Sequence, residues 1–261
     1  MDDRPGRALI TGGSGGIGAA LAEEFARHGT DLVLVARREE RLREVGTRLR
    51  DEFGVDVTVV VRDLADPGAA ENLYDTLDDR DLRVDTLVNN VGIGTYGPFH
   101  RSDAERELDQ LKLNVVAPVT LSRLYLEDFV ASGRGWVLNV GSMAGFQPGP
   151  YMATYYASKA YVNNFSQGVA EELRETDITV TVLCPGPVDT EFQDRAGMGD
   201  SEIGSRFAHT PEAVARAGYE GLLDGDRVVI PGLAMKGLYY LGRLTPLFLQ
   251  RRLARWANSD R

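Results

Sequence analysis

Tyr155 and Lys159 stand four residues apart, a spacing that puts two side chains on one face of a helix. A lone tyrosine, with a pKa of about 10, exchanges its proton slowly at neutral pH. An ammonium beside it favours the phenolate and is expected to lower that pKa. The pair reads as a general acid for reducing a carbonyl, or as a base for oxidising an alcohol. Ser142 follows the apolar run Trp136–Val140 and is placed to hydrogen-bond an oxygen as negative charge builds on it. Tyr156 is only three residues from Lys159, so it points elsewhere around the helix and Tyr155 carries the proton.

Such chemistry needs a hydride donor, and a second motif offers a place for one. Thr11-Gly12-Gly13-Ser14-Gly15-Gly16-Ile17-Gly18 follows the first apolar run and precedes a helical pattern. Glycines there permit a tight turn, close approach of a pyrophosphate and close packing of helix on strand. The helix N-terminus adds free N–H groups and a positive dipole end. Without a ligand the same residues would form a turn and nothing more. About 20 residues beyond the glycines, an NAD site usually carries Asp or Glu. This chain has Ala36 there, then Arg37 and Arg38. A guanidinium suits a 2′-phosphate, so the motif points to NADP(H) with Arg37 as the contact. The alternative is that both arginines only open a solvated helix, since Glu39, Glu40 and Arg41 follow.

The elements that must position these groups are legible as an alternation. Apolar runs at Arg7–Ile10, Asp31–Ala36, Asp56–Val61, Val84–Asn89, Trp136–Val140, Ile178–Leu183 and Arg227–Ile230 show little polar alternation, as expected of strands buried on both faces. Segments of helical period separate them. Strict alternation implies right-handed crossovers and a parallel sheet with helices on both faces. The spacing predicts one doubly wound, Rossmann-type α/β domain with a seven-stranded sheet. Residues 1–232 would form its catalytic body, with a substrate loop at 191–210, and residues 233–261 a tail extending it.

The chain resembles the short-chain dehydrogenase/reductase family over residues 7–232. The resemblance rests on the glycine motif, Asp63-Leu64, Asn89-Asn90-Val91-Gly92, Asn114, Ser142, Tyr155-x-x-x-Lys159 and Pro185-Gly186-Pro187-Val188-Asp189-Thr190, in that order. Paired glycines at Gly15 and Gly16 fit both the short and the longer form of the family's first motif; chain length and the Ser142–Tyr155 separation favour the short one. Val91 departs from the alanine more common there. The resemblance implies a catalytic set of Asn114, Ser142, Tyr155 and Lys159, with Asn114 holding a water that links Lys159 to solvent and Lys159 also binding the nicotinamide ribose. It implies that Gly12, Ser14, Gly15, Gly16, Ile17 and Gly18 cradle the cofactor. Asp63 and Leu64 would lie beside the adenine, Asn90 and Gly92 under its ribose, and Pro185, Gly186, Val188 and Thr190 at the nicotinamide end. Asp63 could instead cap a helix, although Asp66, before Pro67, fits that role better. The family usually forms dimers or tetramers through its two long helices, here about 102–130 and 153–175.

The substrate would meet the segment between Ser142 and Tyr155, residues 93–99 and the 191–210 loop. Met143, Phe146, Tyr151, Met152, Tyr96 and Phe192 are the lining candidates, while Phe99 and Phe207 are expected to pack in the core. The set is apolar and aromatic, pointing to a hydrophobic ketone, aldehyde or 3-oxoacyl chain. The stretches Tyr151–Tyr155 and Val229–Gly232 are similar to the long-chain 3-oxoacyl and hydroxysteroid reductase subgroup. An alcohol dehydrogenase working oxidatively and a silent NADP-binding redox sensor are the other readings. Sensors typically lose the Tyr or the Lys, and both stand here.

Composition closes off other classes. Apolar residues are 43% of the 261 and charged residues 26%, values of a chain with a sizeable core. One cysteine, Cys184, and three scattered histidines exclude an internal disulfide and disfavour a metal site. A net charge of −10 disfavours nucleic acid. The acidic start without an apolar run is unlike a signal peptide, and no apolar stretch reaches about 18 residues, so a soluble, cytoplasmic protein is expected. The tail is different: residues 233–261 hold six basic side chains and one acid. Pro246 should split it into two short helices. Trp256 and Tyr239-Tyr240 suit a boundary between water and apolar matter. The tail either folds over the pocket or a partner subunit, or lies on an anionic membrane.

Overall fold

The computed structural model describes residues 5–197 and 208–259. Seven parallel strands form one sheet in the order β3-β2-β1-β4-β5-β6-β7. They are β1 Arg7–Thr11, β2 Asp31–Ala36, β3 Val57–Val61, β4 Thr86–Asn89, β5 Gly135–Val140, β6 Ile178–Leu183 and β7 Val228–Val229. The order reverses between β1 and β4, and both glycine motif and Tyr155 lie near the C-terminal edge at that switch. This is where open α/β sheets bind ligands.

Helices cover both faces. On one, α1 Gly16–Arg27 and α2 Glu39–Phe53 bury Leu21, Phe25, Leu42 and Leu49 against Ile10, Leu34 and Leu138. On the other, α3 Ala69–Asp78, α4 Ala104–Leu111, α5 Ala117–Ser132 and α6 Ala153–Glu172 enclose a second core containing Leu73, Leu121 and Phe129 with Leu9, Val33 and Val137. The chain then adds α7 Phe192–Ala196, α8 Pro211–Leu223, α9 Leu233–Leu244 and α10 Leu247–Ser259.

Three departures from the sequence expectation have physical causes. The long helix expected near 102–130 starts at Ala104, capped by the Asp103 carboxylate, and contains a π-helical turn at Lys112–Val116. Pro118 has no N–H to give to the Asn114 carbonyl four residues earlier, which removes an α-helical bond there. Asp66 does not cap α3 with its side chain. That helix begins at Ala69 after a left-handed Gly68, whose positive φ lets the chain turn after Pro67. Phe99 is not in the core but 66% exposed, on a single 3₁₀ turn, Phe99–Arg101. Phe207 lies outside the described residues.

In the tail, the break falls at Thr245 and Pro246 as expected, between α9 and α10. Gln250 pins the corner by donating to the carbonyls of Gly242 and Thr245. No described helix is long and apolar enough to cross a membrane.

Candidate active site

Tyr155 and Lys159 sit in the first two turns of α6, and Ser142 follows β5. The Ser142 hydroxyl accepts from the Ala144 N–H at 3.0 Å, which leaves its own proton free to point into the site. It also hydrogen-bonds Tyr155. A residue not singled out from the sequence fixes Ser142 on its other side. Asn163 is fully buried; its amide donates to the Ser142 carbonyl at 2.9 Å and its Oδ1 accepts from the Ser142 N–H. The signal for it was present: a polar side chain one turn beyond Lys159, on the face that α6 buries.

Lys159 is buried, and its Nζ donates to the Val140 carbonyl at 2.7 Å. Desolvation lowers its pKa to about 8, so the ammonium persists at neutral pH. Tyr155 departs from expectation. Burial pushes its pKa up to about 12, and the Ser142 hydrogen bond offsets only part of that. Lys159 does not reverse the shift: its Nζ is 6.0 Å from the ring centroid and hydrogen-bonded elsewhere. In the free protein Tyr155 is therefore a neutral phenol carrying a proton it can give.

Asn114 is also buried, on the π turn. Its side chain exchanges two hydrogen bonds with the Ile93 backbone and donates to Ser158. The side chain is thus engaged in holding the Ile93 backbone and Ser158. Gly92 lies between Asn114 and Lys159: a Cβ there would sit 3.2 Å from Asn114 Oδ1 and 3.5 Å from Lys159 Nζ. Tyr156 faces away, its ring over Gly149, and its hydroxyl accepts from Asn258 at 3.5 Å.

The glycine turn has the shape a dinucleotide requires. Gly12 and Gly16 take positive φ. A Cβ on Gly18 would come within 2.3 Å of the Gly12 carbonyl, so only glycine lets α1 start so close to β1. No side chain caps α1 and no acid stands in its first turn, leaving the N–H groups around Ile17 to an anion. Thr190 closes the far side, its Cγ2 3.2 Å from where a Gly16 Cβ would be. Asn90 holds the turn, donating to the Thr11 carbonyl at 2.9 Å, and buried Leu64 lines the side beyond β3. Pro185 accepts from the Met143 N–H, Gly186 abuts Met235, and Val188 bridges to His209.

The arginines divide. Arg37 pairs with Asp63 at 3.0 Å, while the other Asp63 oxygen accepts from the Ala65 N–H. Arg38 reaches back over the glycines, its Nη2 donating to the Ser14 hydroxyl and carbonyl at 3.2 and 3.3 Å. Arg38 thus stands closer to the cradle than its neighbour, which the order of residues after β2 could not reveal.

Of the expected apolar groups, Phe192 makes a ring contact with Tyr155 and the others pack on different partners. The Phe192 ring lies 5.1 Å from that of Tyr155, and Met152 is buried beside Gly94. Met143 and Phe146 pack on the cluster of Val162, Ile230 and Met235, and Phe146 meets Tyr239 of α9 at 4.7 Å. Tyr151, with φ of 67°, lies 6.3 Å from Tyr96. Tyr96 in turn donates to the Asn258 carbonyl of α10 at 2.6 Å. Asn258 is buried and donates to the Pro150 carbonyl, so the inner side of the tail forms a wall of this region.

The fold is that of a Rossmann-like α/β oxidoreductase, and it brings Ser142, Tyr155 and Lys159 to one place. The short chain dehydrogenase family model matches residues 7–200, and the chain belongs to the short-chain dehydrogenase/reductase family. It is 34% identical over 216 residues to a very-long-chain 3-oxoacyl-CoA reductase of Anas platyrhynchos, covering 80% of this chain and 66% of that protein. A 7beta-hydroxysteroid dehydrogenase of Mediterraneibacter gnavus is 30% identical over 82% of this chain and 81% of its own length. Among solved structures, a short-chain dehydrogenase from Sphingobium yanoikuyae in complex with NADPH matches with a TM-score of 0.82 and 36% identity, over 92% of this chain and 93% of the other.

Proposed function

We propose that this chain is an NADPH-dependent reductase of bulky, hydrophobic ketones, aldehydes or 3-oxoacyl chains. The observation that carries the reading is Tyr155, held neutral beside Ser142 in an apolar setting. NADPH, when bound, supplies the hydride. Ser142 and Tyr155 then orient the carbonyl oxygen with two hydrogen bonds, and the Tyr155 hydroxyl gives it the proton. The Lys159 ammonium, on the same helix face, stabilises the phenolate left behind. Asn163 and Asn114 act as positioning residues, holding Ser142 and the loop at Ile93 that follows β4. The very-long-chain and steroid substrates in the names of two relatives fit the aromatic lining of this site. The test is a panel of ketones, aldehydes and 3-oxoacyl thioesters assayed with NADPH; no turnover of any apolar carbonyl would reject the reading.

The arginines give the cofactor preference. A charged hydrogen bond to phosphate contributes roughly 1.5–3 kcal/mol, so NADPH should bind about ten- to a hundredfold more tightly than NADH. Arg37→Ala and Arg38→Ala should each erode that ratio while leaving NADH affinity nearly unchanged, with Arg38→Ala the larger effect. Titration of both cofactors by fluorescence measures it, and equal affinities in the parent would reject NADP.

The long helices carry exposed Leu108, Leu111, Val116 and Tyr161, and we assign them the homodimer or homotetramer contact. The outer side of the tail exposes Leu238, Leu241, Leu244, Phe248 and Trp256 among Arg243, Arg251, Arg252 and Arg255. That surface suits peripheral contact with anionic lipid, where each basic residue adds on the order of 1 kcal/mol. Full-length protein should co-sediment with anionic vesicles at low salt and be released by high salt. Absence of binding would leave the tail as a pocket wall alone. A 1–236 truncation should lose folded protein, since it strips the Asn258 contacts from the pocket rim.

A further inference from the structure

The strongest unexplained feature is an acidic side chain among the arginines assigned to the cofactor. Glu191 opens the substrate loop, far in sequence from β2, yet one oxygen accepts from Arg38 at 3.1 Å and the other from Arg41 at 2.5 Å. Arg195 pairs with it as well. With Arg37 and Asp63 adjoining, four guanidinium groups share two carboxylates in these ion pairs. The surplus positive charge is felt within the cluster: Arg37 and Arg41 add to burial in lowering the pKa of Arg38. A phosphate monoester, bearing close to two negative charges, suits this cluster better than one carboxylate does.

The next residue, Phe192, is the ring beside Tyr155. Its Cζ also reaches within 2.8 Å of where a Gly94 Cβ would stand, so the ring is packed between Tyr155 and Gly94. The short helix α7 that follows is tied down by Arg106, which donates to the Arg195 carbonyl. An anchor on the arginines that follow β2 and a ring packed on Tyr155 are thus adjacent residues of one segment.

We propose that Glu191 holds the place of the cofactor's 2′-phosphate in the free protein, and that a 2′-phosphate bound at Arg38 and Arg41 displaces it and frees Phe192 from Tyr155. Glu191 is then a specificity-determining residue that couples recognition of the phosphate to opening of the substrate site. The proposal rests on the NADP reading above. Because Glu191 competes with the phosphate, linkage requires that removing its charge tighten phosphate binding.

The test uses 2′,5′-ADP and 5′-AMP, which differ only in the 2′-phosphate and carry no nicotinamide to order the loop. Affinities of the full chain and Glu191→Gln are measured by calorimetry, and amide hydrogen exchange is followed over residues 192–197. The ion pairs of Glu191 with Arg38 and Arg41 are at stake, so Glu191→Gln should bind 2′,5′-ADP about three- to tenfold more tightly, with 5′-AMP unchanged. In the parent, 2′,5′-ADP but not 5′-AMP should speed exchange at 192–197; in Glu191→Gln exchange should be fast without ligand. If the parent does not distinguish the two nucleotides, the NADP reading falls and this proposal with it. If the parent prefers 2′,5′-ADP but Glu191→Gln binds it equally or less well, or exchange at 192–197 does not respond, the latch alone is overturned.

Discussion

Tyr155→Phe should lose about 10²–10⁴-fold in carbonyl reduction, the range for removing a general acid, and keep its fold and NADPH affinity. The side chain stays the same size apart from one oxygen, and its ring contact with Phe192 survives. Only the proton donor and the hydrogen bond with Ser142 go. Tyr156→Phe is the matched control. Its hydroxyl takes one long bond from Asn258 at 3.5 Å, outside the Ser142–Lys159 face, so its rate should change by less than about threefold, within the cost of a weak exposed interaction. Single-turnover rates with saturating NADPH, alongside melting temperatures, make the comparison. A larger loss in Tyr156→Phe than in Tyr155→Phe would show that the register of the catalytic helix is wrong.

The sheet was legible because parallel strands buried on both faces leave near-continuous apolar runs, and all seven runs lie within two residues of the strand at each end. The β7 run shrank to Val228–Val229, an edge with one neighbour and little to pair with. The positions of Tyr155, Lys159 and Ser142 were also legible, because helix period and strand end are local properties. What could not be read was set by distant parts of the chain. Burial of Tyr155, which raises its pKa against the pull expected of Lys159, depends on partners such as Phe192 from a later segment. Arg38 and not Arg37 leans over Ser14 because of how β2 twists into α2. Asn163 became a clamp on Ser142 only once β5 and α6 were packed. The wall that Asn258 builds against Pro150 and Tyr96 joins residues more than 100 apart. In each case the residue type hinted at a polar contact, and tertiary packing chose the partner.

Packing also creates a conflict at Lys159 that gives the second large effect. The protein buries an ammonium, with one carbonyl, that of Val140, as the only hydrogen-bond partner found for it among the described residues. Its pKa near 8 in the folded chain lies below the ordinary 10.5. Between those values the unfolded chain binds more protons than the folded one, so stability rises with pH. The window closes from above, because burial raises the Cys184 thiol from 9 to about 12, and Tyr155 and Tyr74 are both raised from 10 to about 12. From pH 9 the folded chain keeps the thiol proton longer than the unfolded chain, which offsets Lys159, and above pH 10 the tyrosines make stability fall. The free protein should therefore grow more stable from about pH 7 to about 9, by on the order of 1 kcal/mol, and then level off. Lys159→Met, of similar length and without charge, should flatten that rise while losing about a hundredfold or more in turnover, since only the Ser142 hydrogen bond then stabilises the Tyr155 phenolate. Denaturant melts at pH 7, 8, 9 and 10 on both proteins give the slopes. An unchanged rise in Lys159→Met would mean that another group titrates in this window and that the buried ammonium is better solvated than its surroundings indicate.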